Sequence, residues 1–282
     1  MVRRSPNIRS RFRMIRTLHI SNSVFLACLF MVSDALPCST AAWVPGGTGN
    51  IEVNSPDNGV PRINGSCGFK VTGTGFVQDN SSDAEADLIV RFYFLPQLDG
   101  AGSTDIFVAY SDESASPDAT LAKLFSVKYD NDNSSIVVDA TDAGGGTTSA
   151  QVSGINWHLV EFAWKSGQTG SLWVDADATT DLASSTFDSG TGAVESVRLG
   201  APNGFGADLT GMVIFDDYVA HRSLPVGGVL AGDGNLDGTY DLNDIDAIKA
   251  EFLFGTYPSG STDCNLDSNV NSGDVNCVVE KF

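Results

Sequence analysis

The chain has 282 residues, enough for one large domain or two modest ones with a packed core. Hydrophobic residues make up 42% of it and charged residues 18%, which is typical of a globular protein and excludes a disordered one. The formal net charge of −19 is strongly acidic, so we expect no nucleic-acid partner.

Residues 1–42 have the order of a secretory signal peptide. Six arginines precede the apolar run SVFLACLFMV at 23–32, and the small residues STAA follow at 39–42. The apolar run is too short for a membrane-spanning helix, which needs about 20 residues. We therefore predict bacterial-type export to the extracellular space and no transmembrane segment after signal removal. Loss of six arginines and one aspartate then takes the net charge from −19 to −24.

From about residue 49 to 220, apolar and polar residues alternate in short runs between loops rich in Gly, Ser, Asp and Thr. Alternation with period two is typical of strands that bury one face, and no helical period interrupts it. The predicted fold class is therefore all-β, an antiparallel jelly-roll β-sandwich of about ten strands. The clearest predicted strands are 86–94, 105–110, 124–129, 135–140, 157–164, 171–176, 194–200 and 211–220.

Part of this region carries a family resemblance. The segments INWHLVEFAWKSGQTGSLWVDAD at 155–177, VESVRLG at 194–200 and IFDDYVAHRSLP at 214–225 resemble the bacterial branch of the laminin-G-like, concanavalin A-like jelly rolls. The upstream segment 67–94 is similar to the opening strands of the same group. The resemblance implies a β-sandwich over residues 43–224, and it implies a fold rather than a reaction.

Glycoside hydrolysis would require two carboxyl groups close together, one of them as the proton donor. Jelly-roll glucanases similar to this fold carry Glu-x-Asp-x-Glu on one strand, and this sequence has no such strand. Asp216 and Asp217 are consecutive, so they point to opposite faces, while Asp175 and Asp177 lie at a strand end. We expect no catalytic residue here. By family resemblance, Asp216 or Asp217 would bind a calcium ion at the rim.

Two aromatic residues and one cysteine are further candidates in the sandwich. His158 shares its strand face with apolar residues, which predicts a core histidine rather than a base. Trp173 alternates away from the apolar face of its strand and is expected to be exposed, where it would pack at an edge or contact a glycan. Cys67 lies on an apolar strand face and is predicted to be a buried thiol.

Near the C-terminus, DGNLDGTYDLND at 233–244 and DCNLDSNVNSGD at 263–274 place acidic and amide side chains at alternate positions. An EF-hand-type loop supplies calcium ligands from positions 1, 3, 5, 7, 9 and 12, because the loop turns every second residue toward the ion. Both segments fit, so we predict two Ca²⁺ sites. Their ligands are Asp233, Asn235, Asp237, Thr239, Asp241 and Asp244 in the first loop, and Asp263, Asn265, Asp267, Asn269, Asn271 and Asp274 in the second.

The two copies also agree beyond the ligands. The turn at position 6 is Gly238 in the first loop and Ser268 in the second, which predicts a weaker second site. The apolar residues after each loop recur at i, i+3 and i+7, which is one face of a helix that leaves the loop. These residues are Ile245, Ile248 and Phe252 in the first copy, and Val275, Val278 and Phe282 thirty residues later.

No helical segment leads into either loop, because LPVGGVLAG at 224–232 and PSGST at 258–262 contain helix breakers. A loop with only an exit helix, and with Asp at position 12, resembles the dockerin module of secreted polysaccharide-degrading proteins. The resemblance covers about residues 230–282, within a C-terminal module that we place at 225–282. It implies calcium-dependent docking onto a cohesin receptor.

The chain departs from the dockerin pattern at loop positions 10 and 11. Dockerins that engage cohesins typically carry a Ser-Thr-like pair there, whereas this chain has Leu242–Asn243 and Ser272–Gly273. The resemblance therefore supports calcium binding more strongly than a cohesin-like partner.

Three cysteines remain after signal removal. Cys264 occupies position 2 of the second loop, and Cys277 lies three residues past the loop on the predicted exit helix. We predict that these two form a disulfide and that Cys67 stays free.

The sequence thus predicts a secreted, non-catalytic calcium-binding protein of two modules. The jelly roll would recognise a glycan or a protein surface, and the dockerin-like module would tether it. One alternative is a carbohydrate-active hydrolase in polysaccharide degradation with a diverged active site. Another is an adhesive or matrix component in which both modules are structural.

Overall fold

A computed structural model describes most of the chain beyond residue 42. The predicted signal peptide, Cys67, Asp237, Phe282 and the two turn residues of the predicted calcium loops lie outside the described residues. The described residues are 43–54, 60–63, 68–114, 116, 120–228, 230–235, 239–255, 260–267 and 269–281.

Two antiparallel sheets of seven strands each form a β-sandwich. The first sheet has the order β1-β4-β13-β6-β7-β8-β9 and the second the order β12-β11-β10-β5-β14-β3-β2. The strands are β1 Val44–Gly47, β2 Asn50–Asn54, β3 Gly68–Thr72, β4 Gly75–Asp79, β5 Asp87–Asp99, β6 Ser103–Tyr110, β7 Lys123–Asp130, β8 Ser135–Asp139, β9 Thr147–Gln151, β10 His158–Lys165, β11 Thr169–Val174, β12 Ser185–Asp188, β13 Ser196–Ala201 and β14 Thr210–His221. The predicted sandwich fold is confirmed.

The main core lies between the sheets and is built from the alternate residues that face inward. Phe125 of β7 packs across the interface against two residues of β10, with ring centroids 5.7 Å from Phe162 and 5.5 Å from Trp164. All eight clearest predicted strands are present, with ends shifted by a few residues. The short edge strands β1, β2, β9 and β12 were missed. The residues of β1, β9 and β12 are largely polar or small and give no apolar alternation, and β2 has only two apolar residues.

The second sheet also buries its outer face, the face turned away from the first sheet. Tyr93, Leu95, Leu159 and Ile214 alternate with core residues on the three central strands and form a separate apolar cluster. We call this the outer cluster; Val60, Ile63 and Trp157 complete it, and Met212 and Leu266 pack against it. A sheet face that is covered in this way explains why the central strands read as nearly continuous apolar runs.

Two helices follow the sandwich, α1 Leu242–Phe254 and α2 Ser272–Lys281. Asp241 caps the start of α1, and Gly255 ends it in the left-handed conformation at φ 64°. In the described part of the chain, no helix is both long and apolar enough to cross a membrane.

The helices pack through a small core of Ile245, Ile248, Cys264 and Val278. This confirms the predicted apolar face for the first two turns of α1. Phe252, expected on that face, is 47% exposed, because the last turn of α1 instead buries Glu251 against the sandwich.

Candidate functional site

The first predicted calcium loop wraps around the carboxylate of its last residue. Asp244 is fully buried, and its Oδ1 accepts a hydrogen bond from the backbone N–H of Gly234 at 2.9 Å. Its Oδ2 accepts from the N–H of Asp241 at 2.7 Å, and Asp241 in turn accepts from the N–H of Asn243 at 2.6 Å. Position 12 is thus joined to positions 2 and 9 of the loop.

The second loop repeats this arrangement. Asp274 is fully buried, and its Oδ2 accepts from the N–H of Asn271 at 2.8 Å. Asn271 Oδ1 accepts from the N–H of Gly273 at 2.7 Å, as Asp241 does from Asn243 in the first loop. Asp274 Oδ1 accepts from the N–H of Asn265 at 3.3 Å. The two loops therefore share their backbone geometry as well as their sequence pattern.

Each loop also buries its first aspartate. Asp233 is 3% exposed and Asp263 is 2% exposed. Of the remaining predicted ligands, Asp241 and Asn271 are half-buried, Asp237 lies outside the described residues, and the others are exposed: Asn235, Thr239, Asn265, Asp267 and Asn269. Buried carboxylates at positions 1 and 12, with exposed oxygen ligands between them, are a donor set that suits a hard cation such as calcium.

The electrostatics of the loops also suit a cation. Burial raises the pKa of the Asp244 carboxyl above its usual range, and the charge of Asp233 adds to this, although backbone hydrogen bonds partly offset it. The pKa of Asp274 is raised by burial in the same way, with the charge of Asp267 adding to it. Among the residues that the structure describes, no three His, Cys, Asp or Glu side chains form a metal centre by themselves. The predicted sets depend in addition on Asn side chains, a backbone carbonyl and Asp237.

A disulfide crosses the second loop. Cys264 and Cys277 are bonded, with their Cα atoms 5.9 Å apart. Cys264 belongs to the small core between the helices, so the bond fixes the start of the loop to α2. Cys67 lies outside the described residues.

The segment that leads into the C-terminal module is bound to the outer face of the second sheet. Glu161 of β10 is fully buried and accepts hydrogen bonds from the N–H groups of Val226 at 2.6 Å and Gly227 at 2.9 Å. Arg91, its neighbour on β5, donates to the carbonyl of Gly227 at 3.0 Å and to Asp217 at 2.7 Å. Two buried charged side chains therefore hold residues 226–227 in place.

Among its described residues, the module itself contacts the sandwich at two further points. Arg62, which precedes β3, forms a buried ion pair with Glu251 of α1, and Thr262 donates to the same carboxylate. Leu266, at position 4 of the second loop, packs against the outer cluster. Leu266 has a φ of 58°, in the left-handed region that a β-carbon disfavours, and its packing compensates for that conformation.

Sequence reasoning missed these contacts, although a signal was present. Arg91 and Glu161 each interrupt an otherwise apolar run, LIVRFYF and LVEFAW. A charged residue within a buried strand needs a partner, so the two interruptions point to a polar contact on the outer face. Nothing in the sequence says that residues 226–227 supply it.

A cleft of about 270 Å³ lies where the second loop meets the sandwich. The sandwich contributes Ser153, Asn156, Trp157, His158 and Asp175 to it, and the loop contributes Asn265, Leu266 and Asp267. His158 is 1% exposed; its Nδ1 lies 2.8 Å from Asp175 Oδ2, and its Nε2 lies 3.3 Å from the carbonyl oxygen of Gly154. These two contacts fix the orientation of the ring on both sides. His158 is therefore held as a buried structural residue.

No family model matches the sequence, and no curated protein matches it. Among solved structures, the chain is similar to the cellulose induced protein Cip1, at 13% identity and a TM-score of 0.44, over 66% of this chain and 93% of that one. It is also similar to the binding domain of botulinum neurotoxin serotype G, at 9% identity and a TM-score of 0.43, over 67% of this chain. That match spans 45% of the toxin chain. Likenesses this distant carry no functional inference.

The structure contradicts the expected exposure of Trp173 and favours the alternative in which its ring packs within the fold. Its side chain does lie on the outer face of the second sheet, but it is 8% exposed and therefore offers no open ring to a glycan. Ala176, Ala178 and Ala183 pack around it, and its Nε1 donates to the carbonyl of Asp181 at 3.3 Å. The loop after β11 folds back over the ring, which strand alternation alone does not reveal.

The four aspartates considered for catalysis are all engaged within the sandwich. Asp216 accepts from the N–H of Ile63 at 2.6 Å, and Asp217 pairs with Arg91. Asp177 accepts from the hydroxyl and N–H of Thr179, and these bonds lower the pKa of its carboxyl. Asp175 accepts from the N–H of Leu159 at 3.0 Å as well as facing His158. Each of them therefore has a role in local structure.

Proposed function

We propose that the chain is a secreted, non-catalytic recognition protein whose C-terminal module binds two calcium ions. The observation that carries this proposal is the repetition of one loop geometry at an offset of thirty residues. In both loops a fully buried aspartate at position 12 reaches back to the N–H groups at positions 2 or 3 and at position 9. An acidic tail without a ligand has no reason to bury the same carboxylates twice.

Within the proposal the buried and exposed oxygens have different tasks. Asp233, Asp244, Asp263 and Asp274 would supply the inner carboxylates, and the exposed Asn235, Asn265 and Asp267 would close the loops over the ion. When bound, calcium would neutralise carboxylates that otherwise repel each other in a low-dielectric environment. Because the site forms only in the folded loop, its binding free energy would stabilise the module.

The sandwich is the recognition body in this proposal, with a glycan or a protein surface as its ligand. The dockerin-like role of docking onto a cohesin-like partner is part of the same proposal. The exposed apolar residues Leu242, Phe252, Leu253 and Phe254 of α1 are the surface available to such a partner, since α1 turns Glu251 toward the sandwich.

Calcium titration of the full chain by isothermal calorimetry tests the proposal. We expect two binding events, and we expect Asp244→Ala to cost more affinity than Asp274→Ala, because the first loop carries one more carboxylate and a glycine at its turn. Asp246→Ala is the matched control, since Asp246 lies on α1 outside the ligand set. A chain that releases no heat with calcium and has the same circular dichroism in chelator would overturn the calcium role.

The proposed absence of catalysis is tested separately. The purified chain is expected to release no reducing ends from β-glucans, agarose or alginate. Turnover that survives rigorous purification and disappears in Asp175→Asn or Asp177→Asn would instead establish the hydrolase alternative.

A further inference from the structure

Strand β9 forms one edge of the first sheet, and among the described strands it pairs with β8 alone. Hydrogen-bonded and non-hydrogen-bonded residue pairs alternate along two antiparallel strands. The N–H of Val152 donates to the carbonyl of Ser134 at 2.9 Å, which makes these two a hydrogen-bonded pair. The next pairs with a free outer side are therefore at odd positions of β9. The backbone N–H and C=O groups that point away from β8 belong to Thr147, Ser149 and Gln151.

The free side of β9 is accessible. Thr147, Ser149 and Gln151 are all exposed, and in the described part of the chain their backbone groups form no backbone hydrogen bond beyond the pairing with β8. An open groove of about 360 Å³ runs beside the strand and is lined by the same three residues together with Val137 and Asn133. A row of unpaired donors and acceptors on an open edge is a template for another strand.

The other three edges formed by the described strands carry features that hinder such pairing. β1 contains Pro45, which has no N–H to donate. β2 carries Glu52, whose carboxylate pairs with Lys70 of β3. β12 has only four residues, and the carbonyl of Asp188 at its end accepts from the N–H of Gly146 at 2.9 Å. β9 has no proline, no charged side chain and no bulge in its register with β8, so it lacks the usual protection of an edge strand.

We propose that β9 pairs antiparallel with β9 of a second copy of this chain, so that the two first sheets join edge to edge. With the two-fold axis at Ser149, this residue faces its own equivalent, and Thr147 faces Gln151 of the second copy. All outward backbone groups of both strands are then paired. Three residue pairs with two hydrogen bonds each give six hydrogen bonds in all.

The charge pattern favours a second copy as the occupant of this edge. Residues 143–157 contain no charged side chain, although the formal net charge of the chain is −19. Pairing two β9 strands therefore sets no carboxylates opposite each other, whereas the same pairing through β2 or β12 would bring Glu52 or Asp188 of two copies together. Pairing of one surface with itself about a two-fold axis is also the commonest geometry of homodimers.

The contact is small, so we expect a weak dimer. Pairing through a strand of five residues buries less surface than the roughly 1,200–2,000 Å² of a stable complex, and we expect a Kd between about 10 μM and 1 mM. The first sheet carries β9, whereas the C-terminal module covers the outer face of the second sheet. The Kd should therefore be the same in calcium and in chelator, and the inference does not depend on the proposed calcium role.

Sedimentation velocity of the full chain at loading concentrations from about 5 μM to 1 mM measures the dimer. Ser149→Pro removes an outward N–H and leaves the bonds to β8 intact, so it should raise the Kd at least about tenfold. Ser149→Ala is the matched control, because it keeps the N–H, and it should leave the Kd unchanged. Ser149→Lys sets two like charges opposite each other at the axis and should also raise the Kd about tenfold, and more at low salt. Thr169→Lys, at an exposed position of β11, is the control for the added charge.

Hydrogen exchange at low and high protein concentration locates the contact, and we expect concentration-dependent protection at residues 147–151. A monomer at every concentration would overturn the proposal, and so would a dimer that Ser149→Pro and Ser149→Lys leave unchanged. Protection confined to α1 would place the contact at its exposed Leu253 and Phe254 and would also contradict edge pairing. An equal loss in Ser149→Ala would show that the side chain, and not the backbone, carries the contact. If circular dichroism shows that Ser149→Pro does not fold, Ser149→Lys decides the matter.

Discussion

Arg62 and Glu251 form an ion pair that is buried on both sides, with side chains 6% and 8% exposed. The pair joins the segment before β3 to helix α1, 189 residues later in the chain. It is therefore one of the contacts that fix the C-terminal module against the sandwich.

Breaking this pair on one side should be costly. In Arg62→Met the Glu251 carboxylate stays buried with Thr262 as its remaining side-chain donor, and we expect the free energy of unfolding to fall by about 3–5 kcal/mol. The double variant Arg62→Met, Glu251→Met should recover most of that loss, because it removes both charges of the buried pair. Urea denaturation measures both.

Arg222→Met is the control, since its pair with Glu85 is 35% and 29% exposed and should contribute less than about 1 kcal/mol. Equal effects of the two arginine variants would contradict a buried role for Arg62.

Glu161→Gln should release the segment at 226–227 without changing the shape of the side chain. The substitution turns one acceptor oxygen into a donor that faces a backbone N–H, so we expect a loss of about 1–3 kcal/mol and faster hydrogen exchange at Val226 and Gly227. Glu195→Gln is the matched control, because its carboxylate accepts an exposed 3.2 Å bond from Ala84. Unchanged exchange at residues 226–227 would show that Glu161 does not hold them.

Strand alternation was enough to predict the sandwich and the residues of its main core, because each central strand must bury one face. Strand alternation was not enough to predict what covers the outer face of the second sheet. Leu159 and Ile214 are apolar on that face as well, and alternation does not say whether such residues face solvent, a ligand or another part of the chain. Trp173 was misjudged for the same reason, since the loop that covers it is polar in sequence.

The repeated geometry of the two loops was predictable, because their acidic and amide residues follow a fixed spacing and the second copy repeats the first; their calcium sites stay a prediction. Their contacts with the sandwich were not, because each depends on one residue whose partner is far away in sequence. No local sequence pattern around Arg62 or Leu266 indicates that these residues contact Glu251 and the outer cluster.

The Cys264–Cys277 disulfide should stabilise the module. It closes a loop of 13 residues, for which the chain-entropy model gives about 3 kcal/mol. Replacing both cysteines by serine should therefore lower the melting temperature of the module and weaken calcium binding by the second loop more than by the first. Alkylation before and after reduction checks the pairing by mass spectrometry. Labelling of either cysteine in the unreduced, native chain would contradict it.

Lowering the pH should destabilise the first sheet, because the carboxylate of Asp139 becomes protonated. Burial alone would raise the pKa of this carboxyl, but hydrogen bonds from Lys128 and Thr141 outweigh it and hold the pKa well below the usual range. A carboxylate with a lowered folded-state pKa contributes stability that is complete above its unfolded pKa of about 3.9 and is lost as the pH falls toward the folded value. Thr141→Val removes one of these bonds and should make stability less dependent on pH between about 4 and 2. Thr169→Val, at an exposed strand position, should leave the pH profile unchanged, and denaturant titrations at several pH values measure both.

Calcium should stabilise the sandwich as well as the module. The sequence alone treats the two as separable near residue 224, but Leu266 packs on the outer cluster, Glu251 pairs with Arg62, and Glu161 holds the connecting segment. A cation that binds only the folded loops adds about 2.7 kcal/mol per site to the free energy of unfolding when its concentration is a hundredfold above its Kd. Because these contacts join the loops to the second sheet, the sheet should be stabilised as well. We therefore expect chelation to lower the main calorimetric transition by about 10–20 °C if both sites empty. Leu266→Ala should reduce that shift while leaving calcium affinity in the first loop intact, because its side chain contacts the sandwich and is not a ligand. A sandwich transition that is the same in calcium and in chelator would mean that the contacts do not couple the two parts.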